Sequence, residues 1–182
     1  MKRPVALLSL LVLSLAGAAE APTGEVFREP FTLKLRVDQE HFYEQKINAR
    51  IPYVHGGMVF LFCGESFGVK LVKDGDRVVE VRYEPEEKAA DLFLKFSQEK
   101  INDGWSTMLK LENRTTDRLH VGAAMAVRER KDPFETSILP LGPGMTNYKT
   151  WPHPIVQLIL RDIWVMKETG KDAAGAKVAP VP

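Results

Sequence analysis

Apolar and polar residues alternate with a period of two through much of this chain, and that pattern limits what it can fold into. Phe31, Leu33, Leu35 and Val37 fall on one face of an extended segment, with polar residues between them. Such alternation is typical of a β-strand with one buried and one solvated face. Because it recurs at short intervals without long amphipathic helices, the sequence predicts an all-β, antiparallel β-sandwich of about nine strands.

Turn residues between the apolar segments divide the predicted strands. Asp74 and Gly75 predict a tight hairpin turn between strands at residues 69–72 and 78–83. Pro52 has no N–H for a ladder, so a strand predicted at residues 46–53 is expected to end at a sheet edge. Further strands are predicted at residues 58–63, 92–96, 108–111 and 119–127.

The polar segment between two of these strands indicates another hairpin. Leu109 and Leu111 lead into residues 113–117, whose Asn, Thr and Asp side chains favour turns, and alternation resumes at Leu119. In its general pattern, the hairpin over residues 108–127 resembles immunoglobulin-like sandwiches. That resemblance covers this hairpin alone and implies a fold of two facing antiparallel sheets.

Residues 154–165 can be interpreted in two ways. Ile and Val are frequent there, which favours a final strand. The alternative is a helix that begins at Pro154, with Val156, Ile159, Leu160 and Ile163 on one face.

The first residues have the pattern of an export signal. Lys2 and Arg3 precede an apolar run, Val5–Leu15, and small residues follow at positions 16–19. We expect cleavage after Ala18, giving a signal peptide (1–18), a flexible lead-in (19–29), one domain (30–166) and a disordered tail (167–182). No segment reaches the roughly 20 apolar residues of a spanning helix, so the mature protein is expected to be soluble. Its expected location is the periplasm in a Gram-negative source, and otherwise the exterior.

Charge and cysteine content narrow the function. Removing residues 1–18 takes away two basic residues and changes the formal net charge from +1 to −1. The remaining charges alternate in sign along the chain, which argues against a nucleic-acid partner. Cys63 is the one cysteine, so no disulfide can form within the chain. No cofactor is predicted.

Gly64-Glu65-Ser66-Phe67-Gly68 matches the G-x-S-x-G motif of α/β-hydrolases, in which a serine nucleophile stands on a turn between a strand and a helix. Here the following residues are predicted to continue as a strand. A hydrolase with Ser66 as nucleophile is therefore the third hypothesis, and the chain is not expected to be an enzyme.

Histidine, methionine and cysteine side chains raise the possibility of a small copper or zinc carrier. The spacing of the four histidines does not favour it, because no two lie within a helical turn or a strand pair. Cys63 and His153 are the candidate ligands, and this carrier is the second hypothesis.

Aromatic residues on predicted loops provide the candidate partner-binding surface. Tyr148, Trp151 and His153 form one cluster, and Tyr53 and His55 form another. Exposed aromatic rings are enriched at interaction hot spots, although Trp151 could instead close one end of the core. The first hypothesis is an exported, non-enzymatic binding or assembly module of the cell envelope. It would bind an envelope protein or glycan through these residues or an exposed strand edge.

Overall fold

The computed structural model describes residues 24–167 of the chain. The predicted signal peptide and residues 168–182 of the predicted tail lie outside the described residues. Within them, the one helix is a single 3-10 turn at Glu87–Ala89, so no described helix is long and apolar enough to span a bilayer.

The described residues form twelve antiparallel strands. They are β1 (Phe31–Arg36), β2 (Phe42–Ile47), β3 (Val54–His55), β4 (Met58–Leu61), β5 (Glu65–Asp74), β6 (Arg77–Glu84), β7 (Leu92–Ile101), β8 (Gly104–Asn113), β9 (Leu119–Ala126), β10 (Phe134–Thr136), β11 (Thr146–Trp151) and β12 (Gln157–Val165). The prediction of an all-β, antiparallel fold is confirmed. Residues 154–165, for which the sequence allowed a strand or a helix, form strand β12 from Gln157 onward.

Two five-stranded sheets make up most of the molecule. One has the strand order β11-β8-β7-β5-β6, and the other has the order β10-β9-β12-β4-β3. Side chains from both sheets share one hydrophobic core, in which Leu94 and Phe96 of β7, Leu111 of β8, and Leu158 and Leu160 of β12 are at most 1% exposed. The arrangement is therefore sandwich-like, and in β8 the buried residues alternate along the strand as the sequence pattern predicts.

A third, two-stranded sheet, β1-β2, covers a smaller cluster around Leu33, Leu35 and Phe62. Its turn depends on Asp38, whose carboxylate accepts hydrogen bonds from the backbone N–H groups of Glu40 and His41. These bonds, the Glu40 bond first, lower the pKa of Asp38 to about 2.

Three sequence-based predictions about strands were wrong. The second strand is β2, which ends at Ile47, and residues 48–51 form no strand. The predicted hairpin of residues 108–127 does not form, because β8 pairs with β7 and β11 whereas β9 pairs with β10 and β12. The turn between β8 and β9 therefore crosses between sheets. Tyr148 and Trp151 lie in strand β11, where a loop was expected.

Candidate functional site

The five predicted partner-binding residues do not form one surface. Tyr148 and Trp151 belong to β11, at one edge of its sheet, and the neighbouring Tyr53 and His55 lie at β3, at the edge of the other sheet. Because β11 and β3 stand at opposite ends of the two strand orders, the two aromatic clusters face different sides of the molecule.

Trp151 closes the core at the β11 edge. It is 5% exposed, it packs edge-on against Phe96, and its indole N–H donates to the Thr136 hydroxyl of β10 at 3.0 Å. Its aromatic surface is therefore not available to a ligand. Tyr148, by contrast, is 64% exposed, and His153 uses its backbone carbonyl to accept a hydrogen bond from Thr107.

Tyr53 is held at the opposite edge by aromatic contacts. Its ring stacks on Tyr83 of β6, with ring centroids 4.3 Å apart, and the guanidinium of Arg28 lies 3.9 Å from its centroid. This stack joins the β3 edge of one sheet to the β6 edge of the other. His55 is more exposed, and its ring contacts the Glu25 carboxylate.

Arg28 connects the first described residues to both sheets. It is 4% exposed, and its guanidinium forms a two-bond ion pair with the Glu65 carboxylate, one of the bonds being 2.8 Å long. It also donates to the Pro52 carbonyl at 2.7 Å and to the Phe60 carbonyl. Residues 26–28, part of the expected lead-in, are thereby fixed beside residues 51–53.

The structure gives the Gly64–Gly68 motif a structural explanation. Glu65 is the partner of Arg28, and Ser66 is an exposed residue within β5, paired with Lys95 of β7. Gly64 has a φ of +99°, and a Cβ on Gly68 would stand 2.3 Å from the Cβ of Ala90. The strand continues through the motif to Asp74, so the turn from strand to helix that a hydrolase nucleophile needs is not formed.

The described residues do not assemble a metal centre. Between residues 24 and 167, no three His, Cys, Asp or Glu side chains are grouped closely enough to hold an ion. Burial raises the pKa of Cys63 to about 11, because desolvation disfavours the thiolate, the form that binds a metal.

A groove runs between the β6 edge and the turn that follows β3. It has a volume of about 970 Å³, and its walls include Val54, His55, Val79, Val81 and Tyr83. A smaller depression of about 390 Å³ shares Gly56, Gly57 and residues 79–81 with it and reaches Arg161–Ile163. Val79 lines both and is 53% exposed, which is high for a valine in a strand.

The outward side of β6 carries backbone groups that no strand uses. On β5, the Val69 carbonyl and the Leu71 amide bond to Asp91, so both point towards β7. The backbone N–H and C=O groups of Lys70 and Val72 therefore point towards β6, where these residues pair with Arg82 and Glu80. By alternation, the N–H and C=O of Val81 and Tyr83 point away from the sheet. No hydrogen bond to these groups is found within residues 24–167.

Loop residues contact the edge strands β11 and β3. At β11, the Asn147 side chain holds the carbonyls of Leu139 and Pro140 against the strand, at 3.1 and 3.4 Å. Directly before β3, the amide of Tyr53 donates to the carbonyl of Val26 at 2.9 Å, so residues 26–28 pair with residues 51–53. Among the edge strands of the two five-stranded sheets, β6 is the longest, with eight residues.

Two charged side chains mark the solvent face of this edge. Arg82 donates to the Glu80 carboxylate at 2.7 Å, and this hydrogen bond lowers the pKa of Glu80 and raises that of Arg82. The side chains are 40% and 50% exposed, respectively, so the pair is accessible to an approaching charge.

Sequence reasoning identified β6 as a strand but not as the site. Its position at an edge depends on the strand order, for which the sequence holds no local signal. The one available hint was Pro85, directly after the strand, because proline commonly terminates pairing at edges.

Comparison with protein-family models yields no matching family. Curated proteins and solved structures likewise yield no significant match to the chain.

Proposed function

We propose that this protein is an exported, non-enzymatic binding or assembly module of the cell envelope, which takes up an extended strand of another polypeptide at β6. The observation that carries this proposal is the outward backbone of Val81 and Tyr83, unpaired above a groove of about 970 Å³. Strand addition of this kind obtains its affinity from main-chain hydrogen bonds and its specificity from alternate side chains.

A polypeptide suits this site better than a glycan. Sugars are bound on exposed aromatic faces, but Tyr83, the aromatic residue that lines the groove, has one face stacked on Tyr53. The groove instead offers valine side chains and main-chain donors and acceptors, which match the repeating chemistry of an extended peptide.

The place of action rests on the sequence. Lys2 and Arg3, the apolar run that follows and the small residues around Ala18 support export, to the periplasm in a Gram-negative source and otherwise to the exterior. Two antiparallel sheets that share a core are compatible with the immunoglobulin-like pattern, although the hairpin that suggested it does not form.

Site-specific photocrosslinking in the source organism tests this proposal. A benzoylphenylalanine at position 79 should form an adduct, and mass spectrometry should map the crosslinked residue to an extended segment of the partner. The same probe at Tyr148, 64% exposed on the opposite edge, is the matched control.

A proline variant shows whether such an adduct needs the free edge. Val81→Pro removes an amide N–H that points away from β5, so the β5–β6 ladder keeps its bonds while strand addition loses a donor. Val81→Ala keeps the N–H and controls for the lost side chain. The proposal requires loss of the adduct in the proline variant alone; an adduct unchanged by Val81→Pro, or formed only at position 148, contradicts it.

A further inference from the structure

The part of β6 available for pairing is short and has defined limits. At its start, the register between β5 and β6 shifts between Val72 and Lys73, which leaves Val79 as the extra residue of a bulge. At its end, Pro85 has no N–H to contribute. The regular open edge is therefore Glu80–Glu84, with Val81 and Tyr83 directing their backbone groups outward.

The charges of this edge are complementary to themselves. If two copies of β6 run antiparallel about a two-fold axis at Val81, each Glu80 stands opposite Arg82 of the other copy. Residues opposite each other on the same face of an antiparallel pair are close enough for their side chains to interact. The Glu80–Arg82 bond that now lies within one strand would then be replaced by two bonds between copies.

The backbone geometry is consistent with the same axis. Val81 points its N–H and C=O outward, so two Val81 residues across the axis can exchange both hydrogen bonds. An axis at Tyr83 also sets opposite charges against each other, Arg82 against Glu84. It fails because the outward groups of Val81 would then face Pro85, which cannot donate.

We propose that the strand taken up at β6 comes from a second copy of this chain, in an antiparallel pair centred on Val81; this inference rests on the proposed function. The pair joins two five-stranded sheets edge to edge. It also brings the exposed Val79 of each copy, just outside the regular edge, near Tyr83 of the other, which covers apolar surface at the mouth of each groove.

Charge reversal combined with mixing tests the arrangement. In sedimentation experiments over a concentration series, the wild-type chain should self-associate. Glu80→Arg alone and Arg82→Glu alone should each weaken association by about 30-fold, because two attractive cross-strand pairs become repulsive. An equimolar mixture of the two variants should recover association, since every pair across the axis is then of opposite charge. Recovery also shows that both variants fold.

Glu29→Arg is the control for general charge effects. It reverses one member of the exposed Glu29–Arg50 pair, neither of which lines the groove, and should associate like the wild type. A wild-type chain that stays monomeric throughout the series overturns the second-copy proposal, and so do single variants that associate like the wild type.

Failure of this inference is distinguishable from failure of the proposed function. If the chain is monomeric but position 79 still gives an adduct with a different polypeptide that Val81→Pro abolishes, the edge is a strand-binding site and only the identity of the partner is wrong. If no strand from any polypeptide is found at β6, both proposals fail.

Discussion

Replacing Arg28 by Met should destabilise the fold more than any exposed charge replacement. The guanidinium is 4% exposed and bonds to Glu65 and two backbone carbonyls, at Pro52 and Phe60. Methionine keeps much of the apolar stem but supplies none of these donors. The change therefore leaves a carboxylate and two carbonyls without their partner at the junction of residues 26–28 and the sheets.

The magnitude follows from the burial of both partners. Breaking a buried ion pair by removing one member costs about 3–5 kcal/mol. The lower end applies, because Glu65 is still 21% exposed and keeps the hydrogen bond from the amide of Phe62 at 2.7 Å. With a urea m-value of about 2 kcal/mol per M, a loss of about 3 kcal/mol lowers the unfolding midpoint by about 1.5 M.

Urea unfolding followed by tryptophan fluorescence measures this loss. Arg50→Met is the matched control, since Arg50 lies 3.4 Å from Glu29 with 62% of its side chain exposed and should change stability by less than about 0.5 kcal/mol. The double variant Arg28→Met, Glu65→Gln should lose less free energy of unfolding than the sum of the losses of the two single variants. A loss below about 1 kcal/mol for Arg28→Met would refute the reasoning.

Three further experiments test other parts of the structure. Iodoacetamide at pH 8 should alkylate Cys63 at least about tenfold more slowly in the folded than in the urea-unfolded protein, because burial raises its pKa from 9.0 to about 11; equal rates would contradict this. In urea unfolding, Trp151→Ala should lower the free energy of unfolding by about 3–5 kcal/mol, and Tyr148→Ala should lower it by less than about 0.5 kcal/mol. Similar losses for the two variants would mean that Trp151 is not a core residue. Gly68→Ala should cost about 1–3 kcal/mol, because its Cβ would lie 2.3 Å from a neighbouring side chain, while Ser66→Ala should be nearly neutral.

Alternation predicted the strands that build the core. Leu92, Leu94 and Phe96 of β7 all lie on the buried side at 0% exposure, as period-two spacing requires. The hairpin at Asp74 and Gly75 is also formed, joining β5 to β6. In both cases the signal is local, because the alternation of a strand and the residues of a tight turn are each contained in a few consecutive positions of the sequence.

Strands without apolar alternation were missed or misplaced. In β11, Trp151 is the one fully buried residue, so the segment has the composition of a loop and is a strand only through its pairing with β8. The turn after β8 was assigned to a hairpin because its residues favour a reversal of direction. Turn chemistry does not determine whether the next strand joins the same sheet.

The candidate site depends on strand order and could not be predicted from local pattern. The alternation of β6 is that of any half-buried strand. Its position at the sheet edge is known only from the strand order, in which β6 pairs with β5 and with no other strand. The aromatic residues that attracted attention in the sequence, Tyr53 and Trp151, instead join the two sheets at opposite edges.

Residue-resolved amide hydrogen exchange of β6 tests the central claim most directly. In dilute protein, the outward amides of Val81 and Tyr83 should exchange rapidly, while those of Glu80 and Arg82, bonded to β5, should be protected. At high concentration, the amide of Val81 should become protected as a second strand pairs with it. Equal protection of all four amides in the dilute monomer would contradict the account, because the edge would then already be occupied.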